Sequence, residues 1–262
     1  MPTGAAADHK LTFEIDLIGA PQDAVTGEPA KMTQITIKAP LKLEPISLIN
    51  RDDWIIERVK GKKVLHAGPT DNLLTDSRAG LDQLLHQKLR RAGCQVTGVD
   101  IDLEGINFLR TKFGIDDIVH GSIEVLDEVV PHQKFDVILA ADVMEHLNNP
   151  GLFLQCARKL LEPDGELIIT VPNAFSFKKF LGVALFHEER NHPDHVSFYS
   201  LMNLHQLLGR FDFIIIEKLA FLIVDPNKRR ANVWGNRIAH LVMRILRNNS
   251  VADELAVVAK LA

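Results

Sequence analysis

From Lys62 onward the chain alternates short apolar runs with stretches of helical periodicity. The runs are KVLHAG, CQVTGVD, DIVHG, FDVILAAD, ELIITVPN and FIIIEK, and helix-like segments lie around residues 78–92, 103–113, 151–161 and 200–209. Continuous apolar strands separated by helices imply βαβ units and a parallel sheet covered on both faces. Such sheets bind ligands beyond the carboxyl ends of their strands, near the point where strand order reverses. The residues that follow each apolar run are therefore the ones to read for chemistry.

The remaining length adds little to this plan. In 262 residues there is room for one α/β domain with embellishments. Residues 1–50 read as a β-ribbon extension: Leu11, Phe13, Ile15 and Leu17 alternate with polar residues, and Ile35 and Ile37 repeat the pattern. The main domain is expected over 51–262, with a basic helical insertion at about 225–250. A net charge of −4 provides no global field for nucleic acid, which is not an expected partner. Cys94 and Cys156 stand far apart in unlike contexts, which argues against a disulfide framework and for a reduced, cytoplasmic setting. The start, MPTGAAADHK, has no apolar signal-peptide core, and no apolar run approaches the roughly 20 residues of a membrane span.

Four strand ends carry candidate binding residues. After the first run, Ala67 and Gly68 present backbone, and glycine permits close approach of a ligand. His66 precedes them; when neutral it can accept a hydrogen bond from an amino group, or it is simply a packed core histidine. After the second run, Asp100 can accept ribose hydroxyls, with Asp102 as the alternative and Ile101 between them; the competing role for Asp100 is capping the next helix. After the third, Ser122 and Ile123 are placed to border an adenine ring, although Ser122 also suits a helix cap. After the fourth, Ala140 and Ala141 leave space, and Asp142, Glu145 and His146 fall on one face of a helical turn.

The segments GVDID, FDVILAADVMEHLNNPGLFL and LLEPDGELIITVPN together resemble the class I S-adenosylmethionine-dependent methyltransferases, within them the small-molecule O-methyltransferases of the ubiquinone-biosynthesis type. The resemblance runs from about Lys62 to Glu217, and ADELAVVAKL looks like that fold's last, antiparallel strand. It implies a Rossmann-like, mostly parallel seven-stranded sheet with helices on both faces, and S-adenosyl-L-methionine as cofactor. Asp100 then binds the ribose, Gly68 approaches the methionine end, and Ser122 and Ile123 border the adenine. The departure lies in the first motif, where the family has an acidic residue and several glycines and this chain has His66, Gly68, Pro69 and Thr70. That departure leaves open an inactive, partner-binding relative.

A narrower resemblance, carried by DVMEHL, VPN and HPDHVSFYS, is to the small-RNA 2′-O-methyltransferases, in which carboxylates and histidines hold Mg²⁺. It implies a divalent metal on Asp142, Glu145, His146 and His195, although imidazoles among the ligands suit Mn²⁺ or Zn²⁺ better. The favoured reading has no metal: Glu145 and His146 orient the acceptor, and His146 or His195 removes its proton, with His187 and His192 as alternatives. His146 and His195 are expected to meet in space, since they follow neighbouring strands.

Between Pro226 and Ala252 there is no acidic residue, while Lys228, Arg229, Arg230, Arg237, Arg244 and Arg247 are basic. Ile238, Leu241, Val242, Ile245 and Leu246 recur at helical spacing. Such a helix packs on the domain, pairs with a second subunit as a homo-oligomer, or makes peripheral contact with an anionic membrane. The expected acceptor is a small molecule, sugar or glycan intermediate, with an acidic or lipid-linked one as the variant that the basic helix favours.

Overall fold

A computed structural model describes residues 46–189, 191–223 and 230–262. The β-ribbon expected over residues 1–50 falls outside them, except for its last few positions. The strands are β1 (Ser47–Leu48), β2 (Lys63–Ala67), β3 (Gln95–Asp100), β4 (Ile118–His120), β5 (Phe135–Ala141), β6 (Leu161–Pro172), β7 (Phe213–Phe221) and β8 (Glu254–Leu261). The helices are α1 (Arg51–Val59), α2 (Thr75–Gly80), α3 (Leu85–Arg91), α4 (Leu103–Phe113), α5 (Leu126–Val129), α6 (Pro150–Leu160), α7 (Phe177–Phe186), α8 (Leu201–Gly209) and α9 (Arg230–Leu246).

The strands form one sheet in the order β1-β7-β8-β6-β5-β2-β3-β4. All pairings are parallel except those of β8, which runs antiparallel to β6 and β7. This is the expected Rossmann-like sheet, with one strand more than seven among the described residues. The addition is β1, a two-residue edge strand in register with Leu219 and Ala220 of β7.

The apolar runs are continuous because both faces are covered. In β2, Leu65 and Ala67 belong to one core and Val64 to the other; Ile138 and Ala140 of β5 divide from Val137 and Leu139 in the same way. Side chains alternate across a pleated strand, so each run supplies both cores at once. Each fully buried aliphatic side chain contributes roughly 1.5–3 kcal/mol.

Local signals then stop and start the helices. Asp102 caps α4 by accepting from the Gly105 amide at 2.9 Å, and Gly114 ends it in the left-handed conformation. Asn149 caps α6, with Pro150 at its first position. Strand order reverses between β2 and β5, where Ala67 lies beside Ala140. The crevice at their carboxyl ends is where the strand-end residues converge.

Candidate active site

Gly68 leaves β2 with φ +71°, and a Cβ there would stand 2.5 Å from Val143 Cγ2. Glycine is thus required twice, for its dihedral and for the contact with the β5 loop. The space expected for an approaching ligand is filled on this side by a valine methyl. Ala67 and Ala140 are fully buried in the core rather than open to the crevice.

Asp100 closes β3 and is only 8% exposed. Its Oδ2 accepts from the Thr70 amide at 2.9 Å and from the Thr70 hydroxyl at 2.8 Å, and its Oδ1 accepts from the Asp102 amide at 2.9 Å. The capping role that competed for Asp100 belongs to Asp102. Ile101 beside it is 72% exposed. Ile123, expected to border an adenine, is instead buried among Leu126, Phe153 and Leu154, because the residue after Ser122 turns inward at the start of a 3₁₀ turn. Ser122 caps that turn by accepting from the Glu124 amide.

His66 is 2% exposed and faces α3. Its Nδ1 is 3.2 Å from Nδ1 of His86, whose Nε2 is 3.1 Å from the Asp117 carboxylate. A carboxylate only accepts, so His86 donates from Nε2 and, when neutral, accepts at Nδ1. His66 must then donate from Nδ1, which leaves its Nε2 an acceptor. Burial holds His66 neutral, well below the usual imidazole range. Asp117 is stabilised as an anion by His86 and Arg90, although burial opposes this.

The loop after β5 holds the polar cluster. Asp142 adopts a positive φ of 56°. It donates its amide to Thr170, accepts from the Thr170 hydroxyl at 2.8 Å, and pairs with Arg51 of α1. Arg51 lies 3.9 Å from Glu254 as well. Three residues on, Glu145 is 1% exposed, and neither of its carboxylate oxygens has a hydrogen-bond partner among the described residues. Burial, reinforced by Asp142, pushes its pKa up to about 8.

The backbone carbonyl of Glu145 accepts from the amides of Val196 and Ser197 at 2.9 and 3.2 Å. This pins the HPDH loop against the β5 loop. His146 and His195 are thereby brought together with ring centroids 4.6 Å apart, and His192 joins them. His195 Nε2 stands 3.9 Å from Glu145 Oε1. This is not an ion pair: burial and the neighbouring imidazoles lower His195 to about 4, so at neutral pH both groups are uncharged. Burial also lowers His146. His187 lies apart, ending α7 in the left-handed conformation.

Of the four residues that the narrower resemblance implied as metal ligands, Asp142 is committed to Arg51 and Thr170, and the ring nitrogens that lie close together are those of His146, His192 and His195, without Glu145. Arg51 was not foreseen, since it lies ahead of the first diagnostic strand. His86 and Asp117 carry no local motif; the signal for them was the histidine at position 66, which needed a partner if buried.

A family model described as "Methyltransferase domain" matches residues 61–218, well over half of the chain. The chain belongs to this methyltransferase family. It is 30% identical over 131 residues to the mitochondrial ubiquinone biosynthesis O-methyltransferase of Rattus norvegicus, covering 48% of this chain and 35% of that protein. It is 32% identical over 142 residues to the ubiquinone biosynthesis O-methyltransferase of Actinobacillus pleuropneumoniae, covering 50% and 56%. The chain thus spans between about a third and just over half of the length of these relatives. A SAM-dependent methyltransferase from Archaeoglobus fulgidus has the same fold, with a TM-score of 0.53 over 80% of this chain and 94% of that one, at 17% identity.

S-adenosylmethionine is the cofactor of this methyltransferase family, and the Asp100 carboxylate, the expected ribose acceptor, retains acceptor capacity. A carboxylate offers about four acceptor sites, and Thr70 and Asp102 occupy three of those on Asp100. One site remains for a ribose hydroxyl, and a second opens if the Thr70 hydroxyl turns away. Ile101 offers exposed apolar surface beside it. Among the described residues, no helix is long and apolar enough to cross a membrane.

Proposed function

We propose that the protein transfers the methyl group of S-adenosylmethionine to an oxygen atom of a small-molecule, sugar or glycan acceptor. The observation that carries this is the convergence of Glu145, His146 and His195 at the carboxyl end of β5, beside the strand-order reversal. The similarity to ubiquinone biosynthesis O-methyltransferases supports an oxygen acceptor.

When bound, the cofactor supplies an electrophilic methyl group. Asp100 holds a ribose hydroxyl, and the Nε2 of His66 accepts from a donor at the methionine end, the task an acidic residue has in the family. His146 and His195 are neutral at pH 7 and able to accept the acceptor's proton. Of the two, His195 is the weaker base at about 4, so His146 is the better proton acceptor and His195 the better clamp. Protonated Glu145 donates a hydrogen bond to the acceptor or to His195.

A lipid-linked or acidic acceptor is favoured by α9. Its Ala239 and Met243 pack inward, whereas Ile238, Leu241, Ile245 and Leu246 are 49–69% exposed, beside Arg244 and Arg247. An apolar face framed by arginines suits an anionic membrane surface. Calorimetry with S-adenosylmethionine, followed by labelled-methyl transfer to catechol, hexose and short RNA probes, tests this reading. Cofactor binding with transfer to catechol or hexose is expected. Transfer to RNA alone would favour the 2′-O-methyltransferase alternative, and failure to bind the cofactor would favour an inactive scaffold.

A further inference from the structure

We infer that Asp117 and His86 are positioning residues for the cofactor: acting from behind the crevice, they fix His66 as a hydrogen-bond acceptor toward the cofactor's α-ammonium group. The inference rests on the methyl-transfer reading above, in which Nε2 of His66 takes the place of the family's acidic residue. Asp117 directly precedes β4 and is partly exposed. Its Oδ1 stands 3.1 Å from His86 Nε2, and its Oδ2 3.1 Å from Arg90 Nε. The planes of His86 and His66 differ by only 13°, with their Nδ1 atoms 3.2 Å apart. The donated N–H therefore lies close to the plane of the accepting ring, where its lone pair points. Gly98, in register with His66, makes room for the pair: a Cβ there would stand 3.1 Å from His86 Cε1.

Two features set this chain of bonds apart from ordinary core packing. Both imidazoles are buried, where apolar side chains of similar size would avoid the cost of desolvating polar nitrogens. Among the described residues, moreover, the hydrogen bond of His66 is made through Nδ1 and nothing bonds to its Nε2. The charged side chains that act on this ring are Arg51 and Asp52 at the start of α1, and Arg51 pairs in turn with Asp142 at the end of β5. The unpartnered nitrogen thus sits on a buried ring at the carboxyl end of β2, next to the strand-order reversal.

A neutral imidazole has one donor and one acceptor nitrogen. With Asp117 in place, His86 donates to it from Nε2, accepts from His66 at Nδ1, and leaves Nε2 of His66 an acceptor. Without Asp117 the opposite pair of tautomers competes. His86 then donates from Nδ1, and His66 carries its proton on Nε2, where it opposes a cationic donor. Binding selects the acceptor tautomer, so apparent affinity falls with the population of that tautomer.

The test is calorimetry of S-adenosylmethionine binding to the full chain and its variants, with circular dichroism to confirm folding. His66→Phe fills the volume without an acceptor and should weaken binding by roughly 10–100-fold. Asp117→Leu should weaken it less, by roughly 3–10-fold, because part of the acceptor tautomer remains. Added to His66→Phe, Asp117→Leu should cost nothing further, since its effect runs through His66. Arg90→Ala removes the other partner of Asp117 and should leave affinity unchanged. Long-range ¹⁵N–¹H spectra of Asp117→Leu should show protonation appearing at Nε2 of His66, a signature that a merely structural role would not produce. If His66→Phe does not fold, the contrast between Asp117→Leu and Arg90→Ala and these spectra carry the test. Full affinity in Asp117→Leu, an equal loss in the His66→Phe background, or an unchanged His66 tautomer would each overturn the inference. The native chain separates the two readings. Failure to bind the cofactor with the native tautomers in place removes the methyl-transfer reading and this role with it, whereas native binding that is indifferent to Asp117→Leu removes the role alone.

Discussion

Thr70→Val should tighten S-adenosylmethionine binding, although it deletes a polar side chain in the cofactor crevice. The Thr70 hydroxyl donates to Asp100 Oδ2 at 2.8 Å and so competes with a ribose hydroxyl for the same oxygen. A hydrogen bond to a charged acceptor is worth roughly 1.5–3 kcal/mol. Water replaces the hydroxyl in the free variant, so the net gain is smaller, about 0.5–1.5 kcal/mol, or roughly 2–10-fold in affinity. Valine keeps the branched shape, and the Thr70 amide, also bonded to Asp100, is untouched. Asp100→Ala is the companion with the opposite sign: it removes the shared acceptor and should weaken binding by about 10–100-fold. Isothermal titration calorimetry on both variants measures this directly. Tenfold weaker binding in a folded Thr70→Val protein would refute the reasoning, because the hydroxyl would then be a donor to the cofactor and not its rival.

Gly68→Ala should cost about 2–4 kcal/mol of stability, combining left-handed strain with the overlap on Val143, and adding Val143→Ala should recover all but roughly 1–2 kcal/mol of it; denaturant melts without that recovery would remove the packing explanation. Glu145 holds its proton up to about pH 8 when folded, against an ordinary value of 4.5. The folded state therefore binds the proton more tightly, and the stability this provides is present in full below about pH 4.5 and is lost as the pH rises toward 8. The displacement corresponds to roughly 4–5 kcal/mol. The stability of the native chain relative to Glu145→Gln should fall between pH 5 and 8, and parallel curves would contradict the buried, protonated carboxyl. Long-range ¹⁵N–¹H spectra should show His66 protonated at Nδ1 and His86 at Nε2, and Asp117→Leu should release this pattern; an Nε2-protonated His66 in the native chain would break the relay.

The order of apolar runs made the parallel sheet legible, because a strand buried on both faces must be apolar throughout and a crossover helix must separate it from the next. For the same reason the strand-end positions Gly68, Asp100 and Glu145-His146 were readable as a group. The extra edge strand β1 was not, since two residues carry no periodicity. Nor was the inward turn of Ile123, since an apolar residue after a strand reads equally as core or as pocket wall.

What each strand-end residue faces was decided only in three dimensions. Strand order sets Arg51 against Asp142 across 91 positions of sequence, and His86 against Asp117 across 31. Two backbone bonds from the HPDH loop to Glu145 decide that His192 and not Asp142 completes the histidine cluster. The sequence alone determined where the strands end, because apolar periodicity places strand ends. Tertiary structure decided which side chains there pair off and which remain for a ligand, because hydrogen-bond and ion partners are chosen by distance across the sheet and not by spacing along the chain.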